Sequence, residues 1–223
     1  MIINYYLQVE TNLGLLSTML EFNSEVSRIL NDNNGWKKYG YQFNQTLDIN
    51  KAELKIYLNS SKLTTQLCGT NLKNLSCTRF IKKQPIDIII NYNNWIGNSK
   101  SKLNIQDYHT YVINHEVGHF LGLNHNTCPI KECKKRNMKI CPASIMQQMS
   151  KGPKHISPCI ESIYPLNLDW RIDNPKLING GGIKNKIIYL YIILVILIIL
   201  VIFIIFNTNI HYTNIHYNYT KLY

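Results

Sequence analysis

The chain is 223 residues long, 45% of them hydrophobic, and it carries 24 Lys and Arg against 13 Asp and Glu for a formal net charge of +11. That length supports one sizeable core, with residues 1–170 as a single domain of ordinary size. The positive balance alone would suit nucleic acid or an anionic surface, but Asn, Ile, Lys and Tyr are all abundant, as an AT-rich genome produces, and the lysines are scattered outside residues 131–139; no nucleic-acid partner is expected.

Residues 5–10 read as a strand and residues 17–30 as an amphipathic helix, with Phe22, Val26, Ile29 and Leu30 recurring at helical spacing. Residues 31–35, rich in Asn and closed by Gly35, end it. Two further strands are predicted at 39–43 and 53–58, the second alternating Leu54, Ile56 and Leu58 on one face. Residues 87–92 are a short continuous apolar run, expected to form a more buried strand and the edge along which an extended peptide pairs. A helix follows at 105–121, with Asn104 and Asp107 as a capping pair and Tyr108, Tyr111, Val112 and Phe120 to bury. Beyond it, Pro129, Pro142, Pro153, Pro158 and Pro165 interrupt regular structure, so this half should be loop-rich. Residues 131–139 read as a basic exposed loop, with docking of an acidic strand as the functional alternative.

The composition then shifts. Pro175 and the triplet Gly180-Gly181-Gly182 mark a flexible linker at 171–186. Residues 187–206 lack charge and are dominated by Ile and Leu; at 1.5 Å per residue they span about 30 Å, the hydrocarbon thickness of a bilayer. A transmembrane helix is predicted there, with Tyr189 and Tyr191 near the interface, and residues 207–223 form a short polar tail. His211 and His216 in that tail, five apart, read as part of an unstructured interfacial segment in preference to a metal site, and His109 and His155 as solvent-facing or core residues.

The chemistry is concentrated in one stretch, His115-Glu116-Val117-Gly118-His119-Phe120-Leu121-Gly122-Leu123-Asn124-His125. His115 and His119 are four apart, so a helix projects both from one face, where they can share an ion. His125 lies too far along a straight helix to reach that ion. The chain must turn first, and Gly122 stands where a left-handed helix end allows it. Three neutral imidazoles with a fourth position left for water are the ligand set of a catalytic zinc, and Glu116 is placed to take a proton from that water. Five fixed positions at about 5% each make a chance match on the order of one in ten thousand for such a chain.

This extended motif resembles that of the metzincin zinc metalloproteases, whose second mark is a tight turn carrying a methionine beneath the metal. Ala143-Ser144-Ile145-Met146 resembles that turn, and Met138 and Met149 lack its context. The chain is also similar to a zinc protease-type domain of otherwise unknown function known from secreted actinobacterial proteins. Tyr6-Leu7-Gln8-Val9-Glu10, Leu30-Asn31-Asp32-Asn33-Asn34-Gly35-Trp36, Leu67-Cys68 with Ser76-Cys77, and Ile88-Ile89-Ile90-Asn91 with Trp95 carry the similarity up to Tyr111-Val112-Ile113-Asn114 before the motif. Cys128-Pro129 and Ile145-Met146-Gln147-Gln148-Met149 continue it, so that it covers most of residues 4–170. The resemblance implies an α+β, metzincin-like zincin. The expected arrangement is a mixed β-sheet over two helices, with the histidine helix crossing beneath and a loop-rich, disulfide-bridged lower half. Two departures stand out: Asn126 follows the third histidine, where several subfamilies place a diagnostic residue, and Gln148 stands where some place a tyrosine to hold the oxyanion. That role is therefore sought elsewhere, with Tyr164 as the candidate.

The six cysteines, Cys68, Cys77, Cys128, Cys133, Cys141 and Cys159, allow fifteen pairings. Free buried thiols or a second zinc cluster are the alternatives, although no C-x-x-C pair is present. Adjacent loops and the family resemblance favour Cys68 with Cys77 and Cys128 with Cys159; Cys133 and Cys141 would then close a small loop inside the second bridge. Disulfides imply an oxidising compartment, whereas Arg171, Lys176, Lys184 and Lys186 before the apolar stretch, with only Lys221 after it, point to the cytosolic side. Asn44, Asn59 and Asn74 head glycosylation-type triplets of the kind an Asn-rich chain makes by accident, and residues 1–22 lack the pattern of a cleavable signal. A C-terminally anchored, single-pass protein fits. A large DNA virus supplying its own thiol oxidation would reconcile the two signals. The function expected is a membrane-tethered zinc endopeptidase acting on a peptide or protein, with His115, His119 and His125 as zinc ligands, Glu116 as general base and Met146 as floor. The alternative is a non-proteolytic binding or structural protein on the same fold.

Overall fold

Five strands form one mixed sheet in the order β2-β1-β3-β5-β4: β1 (Ile2–Val9), β2 (Gln42–Gln45), β3 (Leu54–Asn59), β4 (Cys77–Ile81) and β5 (Gln84–Asn91). The computed structural model that shows this describes residues 1–13 and 16–166. The predicted linker at 171–186, the apolar stretch 187–206 and the tail 207–223 lie outside the described residues. Among the described residues no helix is long and apolar enough to cross a membrane.

The strands follow from alternation and from apolar runs. In β1 the buried positions are Ile3, Tyr5, Leu7 and Val9, every second residue, as expected for a strand with one face on the core. Leu54, Ile56 and Leu58 of β3 do the same. The registers Leu7↔Ile56 and Ile56↔Ile88 bring one apolar residue from each of three parallel strands into line. Asp87 to Asn91 of β5 are buried without interruption, which suits a strand flanked on both sides.

That flanking corrects one expectation. The run at 87–92 is internal, and the edge strand on that side of the sheet is β4, antiparallel to β5. Strand β4 escaped the sequence reading for a physical reason. Its turn to β5 is the pair Lys82-Lys83, both with positive φ (49° and 67°), a conformation that normally announces itself through Asn or Gly. Nor does Cys77-Thr78-Arg79-Phe80-Ile81 alternate cleanly, because the register shifts between Arg79 and Phe80. Strand β2 begins later than predicted because Trp36–Tyr39 coil into a tight turn that ends on Gly40 in the left-handed region (φ 84°).

Helix α1 (Leu16–Leu30) buries Phe22, Val26, Ile29 and Leu30, as its spacing predicted. A short helix α2 (Ser61–Cys68), not anticipated, is started by Ser60, whose hydroxyl accepts from Leu63 N at 3.3 Å. Helix α3 (Ile105–Phe120) packs on both α1 and β5 and is buried from Tyr108 to Gly118. Beyond it the chain is irregular, with one short helix α4 (Ile130–Lys135) where a basic loop was expected; Cys133 anchors it inward. The predicted cysteine pairs all form: Cys68–Cys77, Cys128–Cys159 and Cys133–Cys141, with Cα separations of 6.0, 5.7 and 5.6 Å. The molecule is thus α+β, with a mixed sheet and a disulfide-bridged lower half.

Candidate metal centre

Helix α3 is held at both ends. Asn104 Oδ1 accepts from Asp107 N at 2.9 Å, and its amide donates back to Asp107 Oδ2 at 2.7 Å, satisfying first-turn donors. At the other end Gly122 takes φ 93°, Gly122 N donates to His119 O and Leu123 N to Gly118 O, both at 2.9 Å. This is a Schellman closure, and it reverses the chain so that His125 returns beside the helix face bearing His115 and His119.

The three rings converge on one point. His115 Nε2 lies 3.2 Å and His119 Nε2 3.0 Å from His125 Nε2. The opposite nitrogens explain why. His115 Nδ1 is 2.7 Å from Ile145 O and His119 Nδ1 is 2.8 Å from Leu123 O. A carbonyl only accepts, so both Nδ1 atoms carry the proton and both Nε2 atoms are bare lone pairs. A single proton on His125 can satisfy only one of them, whereas a bound cation satisfies all three. The donor set therefore fits a metal ion with one protein face open. Burial lowers the pKa of all three histidines, and His125, with His119 and Lys151 nearby, falls to about 4. The rings are neutral over the physiological range, as metal ligands would need to be.

Met146 supports this group from below. A side chain at Gly118 would run into the Met146 sulfur and would press on Trp36 at 3.2 Å, so the glycine inside the helix is where the methionine turn seats. The turn is tied to the histidines twice, through Ile145 O to His115 and through Asn126 N to Met146 O at 3.4 Å. Tyr111 braces it from α3, donating to Gln147 O at 2.9 Å and accepting from Met149 N at 3.0 Å.

Glu116 is buried beside the cluster, and desolvation raises its pKa to about 7 despite hydrogen bonds from Thr78 that lower it. The Thr78 hydroxyl lies 2.8 Å from Glu116 Oε2 and 2.9 Å from Glu116 O, so the edge strand β4 touches the carboxylate directly. Gln148 stands on the other side, its Nε2 3.4 Å from both ring nitrogens of His125. Its orientation is fixed by Lys151, whose ammonium donates to Gln148 Oε1 at 2.9 Å and thereby turns the amide N–H groups toward the histidines. These groups line a cavity of ≈ 260 Å³ whose apolar wall includes Leu72, Leu75 and Phe80.

Other expectations fall elsewhere. Tyr164 donates to Asp32 at 2.7 Å and does not line this cavity, so it is not the oxyanion donor. His109 is a core residue, stacked on Trp95 at 3.5 Å with its Nε2 2.7 Å from Trp95 O, and His155 is exposed. The sulfurs of Cys128, Cys141 and Cys159 also lie within 4.8 Å of one another, but each is in a disulfide, which leaves no thiolate to bind metal. Thr78 and Lys151 were not legible in the sequence, since no spacing rule links them to the motif, whereas Gln148 was placed two residues after Met146 and passed over in favour of Tyr164. Gly118 carried a signal that went unread: a glycine in the middle of a helix costs about 1 kcal/mol against alanine and calls for a packing reason.

A histidine-lined cleft on an α+β scaffold, with a buried carboxylate at its base, is the class that fold and site define. Residues 2–156 match a family described as a protein of unknown function, DUF3152. The match covers more than half of the chain, and the chain belongs to that family. No curated protein matches it.

Proposed function

We propose that the chain is a zinc-dependent metallopeptidase of metzincin type, tethered to a membrane through residues 187–206. The observation that carries the reading is the convergence of three imidazole Nε2 atoms, two of them locked as bare lone pairs by backbone carbonyls, with Glu116 buried alongside. His115, His119 and His125 would hold the ion. A bound zinc supplies Lewis acidity toward water and toward a peptide carbonyl.

The chain's own residues do the rest. An extended substrate pairs along the free edge of β4, which brings its backbone past Thr78 and onto Glu116. Glu116 accepts the proton of the attacking water and returns it to the departing amine, a double role suited to a carboxyl whose pKa lies near neutrality. The Thr78 hydroxyl holds the carboxylate in place. The Gln148 amide, turned inward by Lys151, donates to the carbonyl oxygen as it gains charge. The buried Glu116 also weighs against a purely structural metal, which has no use for a base and favours a closed fourth position.

Glu116→Gln tests this. The variant should bind one zinc per chain as the wild type does and lose hydrolysis of a degenerate peptide library by at least about a hundredfold. Hydrolysis at the wild-type rate by the zinc-loaded variant would overturn the assignment of Glu116. Absence of chelator-sensitive cleavage by the wild-type protein, with zinc bound, would favour the non-proteolytic alternative.

A further inference from the structure

A second cavity of ≈ 340 Å³ lies next to the histidine cleft, and the two share Leu75, Ser150 and Lys151 as common wall. The second cavity differs in character. Its charged lining consists of Lys73, Lys100 and Lys151 with His155 beside them, the remainder is mostly asparagine, and no carboxylate contributes. Among the described residues none of these three lysines enters an ion pair. Lys151 spends one N–H on the neutral oxygen of Gln148, and Lys73 and Lys100 are exposed at the rim. A concave surface lined by one sign of charge concentrates its field, and here no carboxylate among the described lining residues offsets it.

The location gives the cavity a role. Thr78 on β4 touches Glu116, and Leu75, three residues earlier, is already in the shared wall. At about 3.3 Å per residue a peptide extended along this edge covers that path in two or three residues. We propose that the lysine-lined cavity is a subsite for an acidic side chain of the substrate, seated two or three residues to one side of the bond that is cut. The substrate class is then an acidic peptide segment. This rests on the peptidase reading for the word substrate, and on the cavity alone for the preference.

The test separates the two. Fluorescent peptides of one neutral sequence are made with a single Asp walked through successive positions, alongside Asn and Lys counterparts. Their binding to the zinc-loaded Glu116→Gln protein is followed by anisotropy, so that turnover plays no part. At one position the Asp peptide should bind about tenfold more tightly than its Asn counterpart at low salt, with the advantage shrinking as salt is raised. The double variant Lys73→Glu, Lys100→Glu should reverse the order in favour of Lys, with retained binding of the Asn peptide reporting that it is folded. Equal affinity for Asp, Asn and Lys peptides at every position would overturn the proposal, as would a preference unaltered by the charge reversal. Cleavage of the same set by the wild-type protein is read separately. Preferential binding without any cleavage sinks the peptidase and leaves the subsite, whereas cleavage indifferent to Asp, Asn or Lys sinks the subsite and leaves the peptidase.

Discussion

Gly118 and Met146 show how closely single residues are fitted beneath the histidines. Adding one methyl group at Gly118 forces the Met146 sulfur aside and at the same time brings the methyl tightly against Trp36. Gly118→Ala gains helix propensity yet should lower stability by about 1–3 kcal/mol, the usual cost of overpacking. A thermal melt with and without zinc checks this, and a variant as stable as wild type would mean that the methionine is not seated as described. Protonation supplies a second prediction at this scale. His109 and His115 are buried and neutral, with pKa values below the ordinary 6.5, so on acidification the unfolded chain takes up protons that the folded chain refuses. Their contribution to the stability of the metal-free protein is present above that value and is lost as pH falls. Glu116 has the opposite sign: its folded pKa of about 7 lies above the ordinary 4.5, so its contribution is present below the lower value and fades as pH rises through the upper one. Melting temperatures of the metal-free chain should therefore fall as pH drops from about 8 to 5, and fall more steeply in Glu116→Gln, where the opposing group is gone. Identical slopes in the two proteins would argue against a raised Glu116.

At the scale of elements, the lower half has little regular structure and depends on its bridges. Cys128–Cys159 spans 31 residues and encloses Met146, while Cys133–Cys141 spans 8 and sits within that span. A bridge over a loop of that larger size stabilises by about 2–4 kcal/mol through the unfolded chain. Because the loop contains the methionine turn, reduction should cost zinc affinity as well as melting temperature. The pair Cys128→Ser, Cys159→Ser should lose both, and Cys133→Ser, Cys141→Ser should mainly lose melting temperature; zinc titration on each decides. The elements also show what a sequence does and does not disclose. Helix α3, its Asn104 cap and its Gly122 reversal were legible because periodicity, capping and a glycine at a left-handed position all coincide. So were β1, β3 and α1, where the apolar pattern is regular. Strand β4 was hidden by a hairpin made from two lysines, and with it went Thr78 and the true edge of the sheet. His115 and His119 could be paired from spacing along one helix, and His125 joined to them through the glycine turn that follows it. Lys151 and its grip on Gln148 could not, since that contact depends on how an irregular segment folds back in space.

On the scale of the whole molecule, the described domain and the apolar stretch after it make separate claims. The domain carries the site and all six cysteines. The stretch at 187–206 carries the expected tether. Full-length chain should remain with membranes after an alkaline carbonate wash, whereas a chain ending before residue 187 should be released and still bind zinc. Release of the full-length chain would remove the tether. Protease protection of each end in sealed membranes then reads the side on which the cleft works. Such a tether would confine the cleft to substrates that come to the membrane, and the proposed lysine-lined subsite would confine it further to acidic ones. Together they would ask less discrimination of the apolar wall at Leu72, Leu75 and Phe80.

The carbonyl of Ile145 and the side chain of Met146 belong to adjacent residues, yet one fixes the ring of His115 and the other fills the floor under Gly118. A one-residue insertion between positions 142 and 148 would break both contacts at once. Between Cys133 and Cys141 the reverse holds: the bridge joins the two ends of the excursion, and extra residues added there would leave the spacing seen by the three histidines unaltered. In relatives of this chain, length variation should therefore collect in the excursion and be absent from the turn.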